Sequence, residues 1–238
     1  MSLPSSCANL APGVLNGDAK TGSVSCSVTL PEDSYTIYTT VGSTDAAAGS
    51  NAYKATVTSI GTVQVSSSNG SYITGGGYLV QTASYGQYAA GAGTRANFGF
   101  NVKYTKSGTQ PQGRINVIFR KDGRTYQIRS NSIATFGTSL YAVPGTAGCK
   151  TLTPSSTCIG YADFKGKATL QDVTNPLAPI SLGGNLDFQF TLTDKGEPGT
   201  YDEVGISLSN GSILYFSSNW ASSQTVKQVI AGGNVVVH

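Results

Sequence analysis

The sequence has few charged residues and no long apolar run. Charged side chains make up 11% of the 238 residues, against about 25% in an ordinary soluble domain. The net charge of +3 is too small to indicate nucleic-acid binding, so we expect no specific nucleic acid partner. No apolar stretch approaches the roughly 18 residues that a membrane span requires, and the sequence therefore predicts no transmembrane segment.

Histidine is almost absent as well. The single histidine, His238, is the last residue, and we expect the cysteines to be oxidised, so the sequence argues against a serine or cysteine nucleophile with a histidine base. We therefore predict a protein that is not an enzyme. A glycosidase, which needs only two carboxylates, is the remaining enzymatic alternative.

Ser, Thr, Asn, Gln and 30 glycines take the place of the missing charges. Helical periodicity is nearly absent, whereas residues 22–30, 34–41 and 53–65 alternate between apolar and polar with period two. This alternation is typical of strands with one buried face. The sequence predicts an all-β protein built of antiparallel β-sandwich modules.

We expect two modules, a small sandwich over residues 1–68 and a larger antiparallel sandwich over 69–238. The boundary is placed at the polar run SSSNGS (66–71), which contains the turn dipeptide Asn69-Gly70. Polar runs with turn signals are typical of linkers between modules.

Two tight hairpins are predicted in the larger module. RINVIFRKDGRTYQIRS (114–130) has a turn at Lys121-Asp122-Gly123, and VGISLSNGSILYFS (204–217) has one at Asn210-Gly211. Asn-Gly suits a type I′ turn, whose twist matches that of the flanking strands.

Glycine clusters occur in ITGGGYLV (73–80) and, more weakly, in ISLGGNLDF (180–188) and IAGGNVVVH (230–238). In each, the glycines follow an isoleucine and introduce a strand. Because glycine permits positive φ and close backbone approach, we predict bends or bulges there. A phosphate-binding loop would need a GK[ST] ending and a following helix, and the sequence has neither.

The four cysteines fall into two close pairs, Cys7 with Cys26 and Cys149 with Cys158. Three connectivities are open, and we favour pairing within each pair because each brackets a short Gly, Ser or Pro-rich segment. An even count fits an oxidising compartment. A zinc site is the alternative, but the spacing differs from that of metal fingers.

Several motifs follow one another between residues 73 and 119. They are Thr74 to Tyr78, Ala96 to Phe100, Lys103 to Gly108, Pro111 to Gly113, and Phe119. Together they resemble a module found at the C-terminal ends of large bacterial secreted and surface proteins. The resemblance continues through YADFKGKATL (161–170), DFQFTLTDKG (187–196) and the closing GGNVVVH, and so covers roughly residues 70–238. The preceding stretch looks like the later strands of an immunoglobulin-like repeat.

The resemblance implies a structural or adhesion role without a defined catalytic activity. We therefore expect an extracellular or cell-surface location, with a surface glycan or another anionic polymer as partner. No signal peptide is visible at the start, so we expect that a signal was removed or that the sequence was cut from a longer chain. The protein is accordingly expected to be a monomer or a part of a longer multidomain chain. Relatives of the module usually close with an aspartate-rich region, whereas SSNWASSQTVKQV (217–229) contains no acid.

A basic hairpin is the clearest electrostatic feature of the sequence. Five cations lie within a short stretch and are candidates for binding an anionic polymer. The alternative is a solvent-facing strand pair whose arginines protect a sheet edge from aggregation. The residues are Arg114, Arg120, Lys121, Arg124 and Arg129.

Trp220, the only tryptophan, lies in a polar stretch near Tyr215. The two aromatic side chains are candidates for stacking against a sugar ring, which makes a carbohydrate-binding module the alternative function. Packing of the tryptophan over the edge of the core is the structural alternative.

Four acids, Asp194, Glu197, Asp202 and Glu203, flank the turn DKGEPGTYDE. We expect them to solvate this loop. Together they are also the candidate ligands for Ca²⁺, which takes six to eight oxygen atoms. The sequence has no loop of alternating Asp or Asn with a closing Glu, so no cofactor is the first expectation.

Overall fold

The computed structural model describes Cys7, Leu10 and residues 13–14, 22–23, 25–30, 33–41, 56–65, 72–142 and 158–238. Internal contacts divide the chain into two compact units, Met1–Pro31 and Glu32–His238. The expected linker SSSNGS lies outside the described residues, and the division at residue 68 stays a prediction. No helix in the described residues has the length and apolarity that crossing a membrane requires.

The first unit has two short antiparallel strands, β1 (Gly13–Val14) and β2 (Gly22–Ser23). Cys7 and Cys26 form a disulfide with their Cα atoms 5.5 Å apart, which confirms this predicted pair. Cys158, in the second unit, is also disulfide-bonded; Cys149 lies outside the described residues.

The second unit contains the other described strands, and their antiparallel pairing confirms the predicted all-β class. Strands β3 (Asp33–Val41) and β4 (Thr56–Val65) pair with each other and contact β6 and β7. The remaining strands are β5 (Tyr72–Val80), β6 (Arg95–Tyr104), β7 (Pro111–Lys121), β8 (Arg124–Ala142), β9 (Cys158–Asp172), β10 (Ile180–Asp194), β11 (Glu203–Asn210), β12 (Ile213–Ser217), β13 (Trp220–Ala221), β14 (Gln224–Thr225), β15 (Gln228–Val229) and β16 (Gly232–Val237).

One large sheet has the order β12-β11-β10-β9-β8-β7-β6-β5-β16, with β15 also paired to β11. The sheet curls, because Phe100 on β6 packs on Phe190 on β10 with ring centroids 4.8 Å apart, although three strands separate them in the sheet. The two halves of one continuous sheet therefore face each other. The division into two separate sandwich sheets stays a prediction.

Aromatic rings fill the space between the two halves. Phe100, Phe164 and Phe190 are fully buried, and the last two stack with centroids 4.8 Å apart. Aliphatic side chains from β5, β7, β11 and β16 complete the core. Burial alternates with period two along β9, where every second residue is buried.

The glycines of ITGGGYLV lie inside β5, which corrects our expectation that they precede the strand. They lie opposite the glycine cluster of IAGGNVVVH, with Gly77 paired to Gly233 and Gly76 to Asn234 on β16. A Cβ atom at Gly77 would lie 2.2 Å from the carbonyl oxygen of Gly232. Close backbone approach, one of the predicted reasons for glycine, is therefore confirmed.

The strands β5 and β16 are the first and last of the curled sheet along the chain, yet they are hydrogen-bonded neighbours. Where β5 begins and β16 ends, the His238 amide donates to the Tyr72 carbonyl at 2.9 Å. The rings of these two residues stack with centroids 4.1 Å apart. The last residue of the chain is thus held in place at the sheet.

Both predicted hairpins and one predicted bulge are present in the structure. The β7–β8 hairpin turns at Asp122 and Gly123, both with positive φ. The β11–β12 hairpin turns at Gly211 and Ser212, one residue later than predicted, because Asn210 pairs with Ile213. The glycine cluster in ISLGGNLDF coincides with shifts in register between β9 and β10, which confirms the predicted bulge there.

Candidate functional site

Trp220 stacks on a tyrosine that the sequence did not indicate. Its ring and that of Tyr85 have centroids 5.4 Å apart and planes inclined by 19°. Trp220 is half-buried, whereas Tyr85 is 57% exposed. Tyr215, the expected partner, instead packs on Tyr88 with centroids 5.6 Å apart and against the core. The aromatic pair of this surface is therefore Tyr85 and Trp220.

Backbone hydrogen bonds fix this aromatic pair. The loop after β5 lies along β12, where Tyr85 and Ser217 exchange two backbone bonds of 3.1 and 2.7 Å. The Trp220 amide donates to the Ala83 carbonyl at 2.8 Å. Because both rings are attached to paired backbone, their stacking is preorganised rather than formed by two free side chains.

A groove of about 730 Å³ lies between the outer face of the sheet and the segment Gln224–Lys227. Its floor is formed by β8, β9 and β10. Residues directly opposite each other in paired strands share one face, and Ala162 and Leu192, which alternate with the floor residues, belong to the core. The floor contains Gly137, Asp163 and Thr191, which are direct neighbours across three strands. Beside this row lie Ser139 and Tyr161, which are opposite each other on β8 and β9.

The groove contains one cationic and one anionic side chain. The Lys227 Nζ atom lies 4.6 Å from the centroid of the Tyr161 ring and donates to Thr193 Oγ1. Burial lowers the pKa of Lys227, while the charge of Glu203 opposes this shift. Asp163 Oδ2 accepts a hydrogen bond of 2.6 Å from the side-chain amide of Gln189.

The aromatic pair and the groove are adjacent. In the β13–β14 hairpin Trp220 lies directly opposite Thr225, and Thr225 lines the groove. The Thr225 and Ser217 hydroxyls are 2.8 Å apart. An aromatic surface, hydroxyl groups, an amide, a carboxylate and an ammonium group are therefore next to each other on one side of the second unit.

The four predicted calcium ligands have structural partners. Asp194 and Asp202 are 5% and 0% exposed, so the expectation that they solvate a loop is wrong. Asp202 accepts from the amides of Lys195 and Val235, and Asp194 from those of Gly196 and Val237. Glu197 accepts from the Asn234 side chain, and Glu203 forms an ion pair with Lys195.

The bonds from the amides of Val235 and Val237 satisfy the outer edge of β16, which is the last strand at this side of the described sheet. Burial raises the pKa of Asp194 and of Asp202, and hydrogen bonds from backbone amides oppose the shift. The described residues include no group of three or more His, Cys, Asp or Glu arranged to hold a metal ion. Calcium binding stays a prediction.

The five predicted anion-binding residues are divided between the two faces of the β7–β8 hairpin. Arg114 and Arg120 alternate with Ile115, Val117 and Phe119, which face the core, and so lie on the outer face of β7. Asn116 and Ile118, on that same face, are buried rather than solvent-facing. Arg129 lies opposite Asn116 on β8.

The other two cations, Lys121 and Arg124, lie opposite each other at the turn end of the hairpin. Arg124 forms an ion pair of 3.1 Å with Asp172. Arg114 lines a space of about 410 Å³ that Lys103 also lines. Anion binding by the whole hairpin stays a prediction.

Sequence reasoning missed Tyr85, Tyr161, Asp163 and Lys227. Tyr85, the pair Tyr161 and Asp163, and Lys227 come from distant parts of the chain, and the folding of the sheet brings them to one side of the second unit. The one available signal was the mixture of aromatic and polar residues around Trp220, which identified the region but not its partners.

No family model, no curated protein and no solved structure matches this chain. The function must therefore be argued from the geometry of the chain itself.

Proposed function

We propose that this chain is a non-enzymatic adhesion module of an extracellular bacterial protein, and that it adheres by binding carbohydrate. The observation that carries the proposal is the stacked pair of Tyr85 and Trp220, with more than half of the tyrosine surface in contact with solvent. The motif resemblance and the disulfides support an exported location.

The chemistry of stacking explains why this pair suits a sugar. The face of an aromatic ring carries partial negative charge, and the less polar face of a pyranose presents C–H bonds with partial positive charge. A ring fixed by backbone pairing loses little conformational entropy on contact. Binding at such a site requires no catalytic group, which fits adhesion.

The single tryptophan gives a direct test. Because Trp220 is the only tryptophan, its fluorescence during titration with soluble oligosaccharides reports on this site alone. Glycans are first selected on an array, and binding is then measured for the unmodified chain and for Tyr85→Ala. We expect the variant to lose about tenfold or more in affinity, about 1.4 kcal/mol. Tyr201→Ala, which removes a tyrosine that is 70% exposed elsewhere, is the matched control.

Three outcomes would contradict the proposal. If no array glycan binds, carbohydrate adhesion is wrong. If binding is retained only on heparin and is lost with Arg114→Gln, the anion-binding hairpin is the adhesive surface instead. Release of reducing sugar from a bound glycan would contradict the non-enzymatic assignment.

A further inference from the structure

We propose that the groove beside the aromatic pair binds further sugar units of the same glycan, and that the ligand is an uncharged oligosaccharide rather than a single sugar or a polyanion. This inference rests on the proposed function and specifies its ligand class. It is carried by the shape of the groove, the chemistry of its floor and its position next to Thr225.

The size and openness of the groove suit a chain of sugar rings. Its volume of about 730 Å³ lies in the upper part of the range of about 300–1,000 Å³ for ligand sites. At Gly137 an added Cβ would meet no heavy atom within 4 Å, so the space above the floor is open at this point. Gly137 therefore leaves room for a ligand beside Asp163, its direct cross-strand neighbour.

The polar groups of the floor match sugar hydroxyls. Asp163 accepts one hydrogen bond, through Oδ2, and its Oδ1 accepts none within the described part of the chain. An ionised carboxylate accepts strong hydrogen bonds from hydroxyl groups. Lys227 donates one of its three protons to Thr193, which leaves two for sugar oxygens.

Tyr161 adds a second aromatic surface to the groove. Its ring is 36% exposed and lies next to the Lys227 ammonium group. Tyr85 stacks on Trp220 in β13, whereas Tyr161 lies against Lys227, two residues after the end of β14. A ligand that used both rings would have to be longer than one sugar unit, because they contact different parts of the segment 220–227.

The local charges favour an uncharged ligand. Asp163 and Lys227 cancel each other, and the nearby Lys195 and Glu203 form an ion pair of 2.8 Å. A polyanion would gain no net attraction from this balanced set, because repulsion by Asp163 offsets attraction to Lys227. The ligand class therefore differs from the anionic polymer that the basic hairpin suggested.

The test measures how affinity depends on the length of the glycan. Neutral oligosaccharides of one to six units, from the series that binds best on the array, are titrated by isothermal calorimetry. A uronic acid series of the same lengths is titrated in parallel. We expect the affinity for the neutral series to rise with length and the uronic acid series to bind more weakly at every length.

Variants then separate the groove from the aromatic pair. Asp163→Asn and Gly137→Leu should each lower the affinity for six units by about tenfold or more, while the affinity for one unit stays unchanged. The leucine fills open space and should not disturb the fold, which thermal unfolding checks. Asp187→Asn, which removes an exposed carboxylate from β10, is the matched control and should leave both affinities unchanged.

The results distinguish a failure of the proposed function from a failure of the groove assignment. If no sugar of any length binds, the proposed function is wrong and this inference is wrong with it. If sugars bind at the aromatic pair but the affinity is independent of length, or Asp163→Asn and Gly137→Leu have no effect, only the groove assignment is overturned. Tighter binding of the uronic acid series would overturn the assignment to an uncharged ligand.

Discussion

Replacement of Asp202 by asparagine should destabilise the second unit strongly. Both carboxylate oxygens accept backbone amides, from Lys195 at 2.9 Å and from Val235 at 3.0 Å. Asparagine is nearly the same size but has only one acceptor oxygen, so its NH₂ group would face one of the two N–H donors. The outer edge of β16 would then have a buried amide without an acceptor.

The magnitude follows from these two bonds. A hydrogen bond to a charged group contributes about 1.5–3 kcal/mol, and one of the two is lost. Removing a fully buried charge lowers the loss in the free energy of unfolding, whereas the backbone amide left without an acceptor increases it. We expect a loss of about 2–3 kcal/mol in the free energy of unfolding, or about 4–12 °C in Tm for a unit of this size.

Chemical denaturation of the intact chain at pH 7 checks this value, with Asp187→Asn as control. Asp187 is exposed and forms a surface ion pair with Lys167, so its loss should change the free energy by no more than about 0.5–1 kcal/mol. If the two variants unfold alike, the reasoning that Asp202 secures the edge of β16 is refuted.

The pH dependence gives an independent check. The pKa of Asp202 is raised in the folded state above its usual 3.8, so protons bind more tightly to the folded form. The contribution of this group to stability is therefore fully present below about pH 4 and is lost as pH rises through the folded pKa. The difference in stability between the unmodified chain and Asp202→Asn should thus be larger at pH 4 than at pH 7. A difference that grows towards pH 7 would contradict the raised pKa.

Two further predictions concern other parts of the curled sheet. Gly77→Ala should destabilise the second unit by more than about 2 kcal/mol in chemical denaturation, because its Cβ would lie 2.2 Å from backbone oxygen of β16. Gly76→Ala, where the nearest atom is 3.5 Å away, is the control, and equal effects of the two would contradict the close-approach explanation. Burial raises the pKa of Asp172, but hydrogen bonds from Thr174 and the charge of Arg124 outweigh it, so the pKa is lowered. The stability that the ionised Asp172 contributes should therefore be present above about pH 4 and be lost as the pH falls below that value. An NMR titration that gives Asp172 a pKa at or above 3.8 would contradict this.

Local features of the fold were predictable from the sequence, and long-range ones were not. The β7–β8 hairpin was predicted because its strands and its Asp122-Gly123 turn are adjacent in the chain. The extent of β5 was underestimated because glycine has a low strand propensity. Only the pairing of β5 with β16, which is distant in the chain but adjacent in the sheet, explains why glycine is required there.

The candidate site illustrates the same limit. Trp220 was identified from its surroundings, whereas Tyr85 was not, since only the loop after β5 brings the two together. The acids near residue 200 looked like loop residues because sequence shows their charge but not the amides that they accept. Asp194 and Asp202 are buried because they accept hydrogen bonds from β16, which lies more than 30 residues later in the chain.

The stacked rings of Tyr72 and His238 bring the point where the chain enters the curled sheet next to the point where it leaves the sheet. The two strands that meet there run in opposite directions, so tension applied between these residues would load one pair of backbone hydrogen bonds at a time. Strands under such tension unzip rather than shear. In a pulling experiment attached at these positions, we expect β16 to peel from β5 at low force, while the disulfide of the first unit keeps its loop closed.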